Sequence, residues 1–298
     1  MLTAQQAKIQ ASCEAGTKLL ARPLLPLVRI VQFVYLSGPY KGIEPLLAEL
    51  PAELEVQDIR YEAPADLLRP MLPVLRTAEA MKKPAALRSL PVIQDEQRRP
   101  LNPFKAMELW VGQQVLTREL ERINSLLCEP RGCTLCCVGP DAAAGMRQHF
   151  FEIPLRDMEV AWFNDPLVDT EASRRVVSMT EPPLVHDNRP FYEGGRALYR
   201  WRNGWSLILP RNTACAQLDS EQGRCRIYAE RPEACRRPQI FPYLLEKQEN
   251  AEEAGTAYIF RNKLLAVWDC PSVRDLKNVI ARYAELSGLE PVFMENKG

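Results

Sequence analysis

Residues 102–137 read NPFKAMELWVGQQVLTRELERINSLLCEPRGCTLCC. Asn102 supplies an N-cap side chain, and Pro103 brings the fixed φ of a first helical position. Behind them Leu116, Leu120, Ile123 and Leu127 recur at helical spacing, so one face is buried. The helix delivers the chain straight into Cys128, where Glu129-Pro130-Arg131-Gly132 breaks it. A Pro-Gly loop turns without forcing a side chain into strain, which suits a loop that presents ligands. Cys133, Cys136 and Cys137 follow at once, so the first cysteine group is launched from a rigid element.

Working outward, eight of the nine cysteines fall between Cys128 and Cys270. The spacings are C-x4-C-x2-C-C, a gap of 77 residues, C-x9-C-x9-C over Cys215, Cys225 and Cys235, and Cys270 35 residues further on. So many thiols at short intervals are bridged, metallated or oxidised. The first twenty residues carry Lys8, Glu14 and Lys18 and show no secretory pattern, and Leu24–Leu36 is interrupted by Pro26, Arg29 and Gln32. A soluble, cytoplasmic protein is expected, and there a dense thiol set binds metal or does redox chemistry in preference to forming a disulfide framework.

The 298 residues are 46% hydrophobic and 26% charged, enough to bury a substantial core without metal, so any metal is a local feature. The 38 basic residues balance the 38 acidic ones and leave no global field for nucleic acid or membrane, so neither partner is expected. With 25 Pro against 14 Gly, short elements and sharp breaks are expected.

The fold class expected is α+β, divided near residue 100. A helical, proline-rich part over residues 1–100 precedes a mixed cysteine-cluster domain over 101–298, with short hairpins and a C-terminal helix. Helices are predicted over residues 4–21 and 65–80, Val28–Leu36 is either a strand or a helix, and Gln94–Pro100 reads as a charged surface linker. Asn203-Gly204 predicts a two-residue hairpin turn between 197–202 and 205–209. A second hairpin is predicted around Arg261-Asn262-Lys263, pairing 257–260 with 264–268 and leaving Cys270 just past a strand. Ser272 is the expected cap of a last helix that ends before Gly288.

A C-x2-C pair is the commonest way for a short loop to supply two thiolates, and Cys133 and Cys136 provide it. Adjacent residues project differently, so Cys136 and Cys137 suit two metals, or two corners of a polynuclear cluster, better than one tetrahedral ion. Neither cysteine group has the paired short knuckles of a zinc ribbon. Arg224, Arg226, Arg231, Arg236 and Arg237 surround the second group, against Glu230 and Glu233. They either offset the negative charge of a thiolate centre or form a solvated helix face. His186 and His149, the two histidines, read as ordinary loop and aromatic-flanked residues ahead of any ligand role. Tyr199, Trp201, Trp205, Phe241 and Tyr243 read as packing around the site.

The segments Cys215-Ala216-Gln217-Leu218-Asp219, Gly223-Arg224-Cys225-Arg226-Ile227-Tyr228 and Glu230-Arg231-Pro232-Glu233-Ala234-Cys235-Arg236 resemble the bacterial cysteine-cluster proteins of the CxxCxxCC, or YkgJ-like, family. The resemblance covers about Cys128 to Tyr243 and departs at the start, where four residues and not two separate Cys128 from Cys133. It implies a zinc- or iron-chelating domain in which the matching cysteines, Cys128, Cys133, Cys136, Cys137, Cys215, Cys225 and Cys235, are ligands; Cys270 joins this metal-ligand pool on the count of eight thiols alone, and Cys128 and Cys270 are its outlying members. Flagellin lysine methylases are similar in cysteine pattern, but no glycine-rich loop with a following acidic residue accompanies it here.

Three functions follow as expectations. The first is a four-iron four-sulfur cluster, held mainly by Cys133, Cys136 or Cys137, Cys225 and Cys235, serving redox or electron transfer with a protein partner. The second is a zinc-binding protein, metal chaperone or sensor; the third is a cluster-dependent protein-modifying enzyme. No paired-carboxylate motif, phosphate loop or nucleophile with a neighbouring base stands out, so catalytic residues are unassigned.

Overall fold

The computed structural model describes residues 4–83, 91–128, 134, 137–141, 148–178, 184–186, 188–219, 224–236, 239–248 and 257–294. It is an α+β protein with helices dominating the first part and strands the later part. Helix α1 (Ala4–Leu20) turns at an elbow into α2 (Leu25–Ser37). The ambiguous stretch 28–36 is thus helical, because Leu27, Val28, Val31 and Tyr35 fall on one buried face. Short α3 (Ile43–Ala48) leads to a hairpin of β1 (Glu53–Val56) and β2 (Ile59–Glu62).

The helix expected over 65–80 is broken into α4 (Pro64–Leu68) and α5 (Leu72–Leu75), each followed by a 3₁₀ stretch, Arg69–Met71 and Arg76–Lys82. Pro70 and Pro73 remove backbone donors, so no single α-helix runs through. Strand β3 (Val92–Gln94) precedes the expected linker, which is a closed turn: Asp95 accepts from the Arg99 backbone at 2.8 Å and from its guanidinium at 2.7 Å, and Gln94 bridges Pro100.

Helix α6 (Pro103–Cys128) starts as expected, with the Lys105 amide donating to Asn102 Oδ1 at 2.9 Å. It is shared by two cores. Met107, Val111 and Val115 pack with the small helices of the first part, whereas Leu116, Leu120, Ile123 and Leu127 pack with residues of α1 and of the C-terminal sheet and helix. Two amide side chains fix it to that sheet: Gln113 Oε1 accepts from the Leu244 and Leu245 amides, and Asn124 Nδ2 donates to the Ile240 carbonyl at 2.8 Å.

The next elements build the sheet that carries the site. Strand β4 (Phe150–Leu155), one-turn helix α7 (Asp157–Val160), β5 (Leu167–Asp169), the bridge pair β6 (Val185–His186) and β7 (Arg189–Pro190), β8 (Ala197–Trp201) and β9 (Gly204–Pro210) follow in sequence. Four of them form a sheet in the order β4-β9-β8-β5. The β8–β9 hairpin is present, but Trp201 pairs with Gly204, so the turn residues are Arg202-Asn203, one position earlier than expected. Asn203 Oδ1 instead accepts from the Arg174 amide at 2.7 Å, and Gly204 takes the φ of +143° that the twist demands.

A two-residue ribbon of β10 (Leu218–Asp219) and β11 (Arg224–Cys225) precedes β12 (Ile240–Lys247) and β13 (Ala257–Val267). The second predicted hairpin is a single eleven-residue strand: residues 257–260 and 264–268 do not pair with each other. Strand β13 pairs antiparallel with β12, and Arg261-Asn262 is absorbed as a bulge opposite Leu244, the register shifting between Tyr243 and Leu245 while Lys263 pairs with Tyr243. Asn262 at φ +54° takes the extra residue, the left-handed conformation that asparagine tolerates serving a bulge and not a turn. On its other edge β13 runs parallel to β3 and to the last strand, so residues 92–94 belong to the same sheet as the C-terminus. Helices α8 (Pro271–Asp275) and α9 (Lys277–Leu286) and strand β14 (Glu290–Met294) complete the fold. Cys270, not Ser272, is the N-cap of α8; Ser272 Oγ donates to the Leu127 carbonyl at 3.5 Å. Gly288 follows the end of α9 at φ +69°, as expected. Among the described residues no single helix is long and apolar enough to cross a membrane.

Candidate metal centre

Two backbone hydrogen bonds close the 77-residue gap between the cysteine groups. The Cys215 amide donates to the Cys137 carbonyl at 2.8 Å, and the Gly139 amide donates to the Thr213 carbonyl at 2.7 Å, around an antiparallel bridge of Val138 with Ala214. Cys137 itself sits in a turn, its amide bonded to the Thr134 carbonyl at 2.7 Å. The bridge needs glycine: a Cβ on Gly139 would stand 1.8 Å from the Pro210 carbonyl oxygen, which is backbone and has no rotamer by which to yield.

Cys225 is brought back toward Cys215 by the β10–β11 ribbon, in which Leu218 faces Cys225 and the Arg226 amide donates to the Gln217 carbonyl at 2.8 Å. Cys235 lies in a 3₁₀ turn, Glu233–Arg236, that is fixed from outside. The Glu233 amide donates to Glu159 Oε1 at 2.9 Å, and its carboxylate pairs with Arg156. Cys215 and Cys235 pack on the apolar cluster of Ile153, Leu155, Phe163, Leu207 and Leu209, so the thiols face a largely dry wall.

These side chains act on one another electrostatically. Burial first, then the neighbouring thiols of Cys215, Cys225 and Cys128, push Cys137 up to about 12, with Arg231 opposing. Burial, then Cys137 and Cys215, push Cys235 up to about 12, again against Arg231. Burial raises Cys215 as well, helped by Cys225 and Asp165 and opposed by the Gln217 amide and Arg196. Burial thus favours the neutral thiols of Cys137, Cys215 and Cys235, and a cation bound among them would favour the thiolates.

Of the eight expected ligands, Cys128, Cys137, Cys215, Cys225 and Cys235 thus act on one another, while Cys133 and Cys136 lie outside the described residues. Cys270 is buried in the main core beside Leu127, a different cluster from that of Cys215 and Cys235. Cys13 is half-buried in α1. Among the described residues no three Cys, His, Asp or Glu side chains stand close enough to hold a single ion. The His149 ring stacks on Tyr192 at 4.9 Å, Tyr199 and Trp201 stack in a cluster of their own, and the His186 side chain lies outside the described residues.

Two arginines that the sequence left open between charge compensation and a solvated face, Arg231 and Arg236, have buried side-chain atoms here, and one further feature, Asp165, was not marked in the sequence. Arg231, one of five arginines readable as a solvated face, is 8% exposed. It donates to the Tyr228 carbonyl and to Ser125 Oγ, each at 3.0 Å, and its guanidinium lies 3.7 Å over the Tyr228 ring. Among the described residues no carboxylate pairs with it. Asp165 has a side chain fully shielded from solvent; one oxygen binds Arg196, which also reaches the Ala214 carbonyl, and Oδ2 has no partner among the described residues. Arg236 Nε is likewise buried without a partner. Asp165 sits in Asn164-Asp165-Pro166, which reads as an ordinary turn, so only the fold reveals it. A buried cation facing thiols and a buried, half-satisfied carboxylate beside Cys215 both suit a site completed by a metal.

Residues 127–256 match the CxxCxxCC family, described as "Putative zinc- or iron-chelating domain". No curated protein and no solved structure matches the chain. Over the stretch that carries every cysteine from Cys128 to Cys235, the chain is thus similar to a family of zinc- or iron-chelating domains.

Proposed function

We propose that the converging cysteines hold an iron–sulfur cluster and that the protein is a redox or electron-transfer protein. The observation that carries this reading is the mutual electrostatic influence of Cys137, Cys215, Cys225 and Cys235, which four separate local structures bring into one neighbourhood with the buried Arg231. The vicinal Cys136-Cys137 pair supports a polynuclear centre, because adjacent thiolates point to different corners. When bound, such a cluster takes up and releases one electron. The residues do the rest: the apolar wall of Ile153, Leu155 and Leu207 excludes water, and Arg231 sets a fixed positive potential at the thiolates.

A mononuclear zinc site is the second reading, and Asp165 favours it. Its unpartnered Oδ2 beside Cys215 supplies an oxygen of the kind zinc accepts together with thiolates. Anaerobic purification from cells grown with both metals separates the two. The cluster reading expects iron and acid-labile sulfide in equal amounts, with absorbance near 400 nm that dithionite bleaches. Zinc at one per chain with no sulfide sinks it in favour of the second.

A further inference from the structure

Away from the cysteines, a groove of about 620 Å³ opens between three elements that are distant in sequence. The α1–α2 elbow brings Arg22, the start of β2 brings Arg60, and α9 brings Asn278 and Arg282. Ile59, Val279 and Leu286 form its apolar lining. Three arginines thus line one space, with Asp58 the acidic residue among its lining. Arg22 has no ion pair or side-chain hydrogen bond among the described residues. Arg60 and Arg282 pair only with Glu53 and Glu285, and both pairs are more than half exposed, so a ligand displaces them at little loss.

The walls are tied together directly behind the groove. Glu119, fully buried on α6, accepts from the Leu24 amide at 3.0 Å and from the Tyr283 hydroxyl at 2.8 Å. Tyr61 donates to the Pro23 carbonyl at 2.6 Å. Each tie falls within two residues of a lining arginine: Leu24 and Pro23 beside Arg22, Tyr61 beside Arg60, Tyr283 beside Arg282. A carboxylate buried this deeply is costly to keep, and here it fixes the spacing of three cationic elements. The hairpin tip is strained as well, since Gln57 and Asp58 hold φ of +51° and +63° without a glycine.

We propose that this groove binds a phosphorylated small molecule of nucleotide size, its phosphates on Arg22, Arg60 and Arg282 and its body against Ile59, Val279 and Leu286. Guanidinium forks match phosphate oxygens two at a time, and the volume lies in the range of ordinary ligand sites. The inference is independent of which metal the cysteines hold.

The test is calorimetric titration of the full-length, metal-loaded chain with ADP and, separately, with inorganic pyrophosphate. Saturable binding is expected for both, tighter for ADP. Arg22→Gln with Arg282→Gln weakens it by about tenfold or more, and Glu53→Gln, which releases Arg60, strengthens it. Arg69→Gln, an exposed arginine outside the groove, leaves it unchanged. Because the substituted arginines are exposed, the variants melt with the wild type. The proposal is overturned by no saturable binding at millimolar ADP, or by an Arg22/Arg282 variant that titrates as the wild type does. Equal affinity for pyrophosphate and ADP overturns the assignment of the apolar wall.

Discussion

Arg231 presents a problem of charge that only its neighbours resolve. A guanidinium at 8% exposure loses most of its hydration, and a ring face and two oxygens return part of that. The thiols it opposes at Cys137 and Cys235 are the remaining compensation, once they ionise. Arg231→Gln is therefore expected to lower metal affinity by about tenfold, in the range of changes to groups that support ligands. If the centre is a cluster, its midpoint potential also moves to more negative values, because the reduced state gains the most from the lost cation. Competition with a chromophoric chelator and a redox titration check the two effects. A purely structural arginine would alter melting and leave both unchanged. At this scale the cysteines were legible, since so many thiols at C-x2-C and C-x9-C spacing are a dense and unusual set. Arg231 was legible only as one of five candidate arginines and Asp165 not at all, because burial follows from the fold and an arginine or aspartate in a loop reads the same in either setting.

Among the elements, the bridge between Val138 and Ala214 is what joins the two cysteine groups. Replacing Gly139 with Ala drives a methyl into the Pro210 carbonyl and displaces Cys137 from Cys215. The expected result is a loss of bound metal with a destabilisation of about 1–3 kcal/mol, typical of overpacking where backbone cannot yield. Metal content and chemical denaturation measure it; retention of full metal would show that the bridge does not position Cys137. Helix α6 was readable end to end from Asn102, Pro103 and its leucine spacing, because capping and periodicity are local. The hairpin expected at Arg261-Asn262-Lys263 failed for the opposite reason. Asn262 signals a left-handed residue, but whether that residue makes a turn or a bulge is settled by the partner strand β12, through the pairing of Tyr243 with Lys263 and of Leu245 with Phe260. The proline-broken region after β2 was legible only in part, since Pro70 and Pro73 were visible while the alternation of α and 3₁₀ turns depended on packing.

Across the whole molecule, α6 is the common spine: it carries the helical first part on one stretch, the C-terminal sheet on another, and ends at Cys128. Glu119 at its middle joins the elbow to α9, and burial pushes its carboxyl up to about 8 from an ordinary value of 4.5. The folded state therefore holds this proton more tightly than the unfolded chain does. Its contribution to stability is fully present below about pH 4.5 and is lost as pH rises through 8. Glu119→Gln keeps an acceptor for Leu24 and reverses the other bond, its amide donating to the Tyr283 hydroxyl, so it removes the titration and leaves the packing. Urea midpoints at pH 5 and pH 8 are expected to show the variant gaining on the wild type at the higher pH; a gap independent of pH would contradict this. The α+β class was legible from the sequence because the helical patches and the strand-rich stretches are separated along the chain. The joining of β3 to the C-terminal sheet was not, being a pairing across more than 160 residues.

The central claim is that the cysteines on either side of the 77-residue gap form one metal centre. Its most direct test is the metal content per chain, by plasma mass spectrometry after anaerobic purification, of the wild type, of Cys13→Ser, and of the double variant Cys225→Ser with Cys235→Ser. The account predicts equal, stoichiometric metal in the first two and its loss from the third; a double variant that keeps the wild-type complement would contradict it.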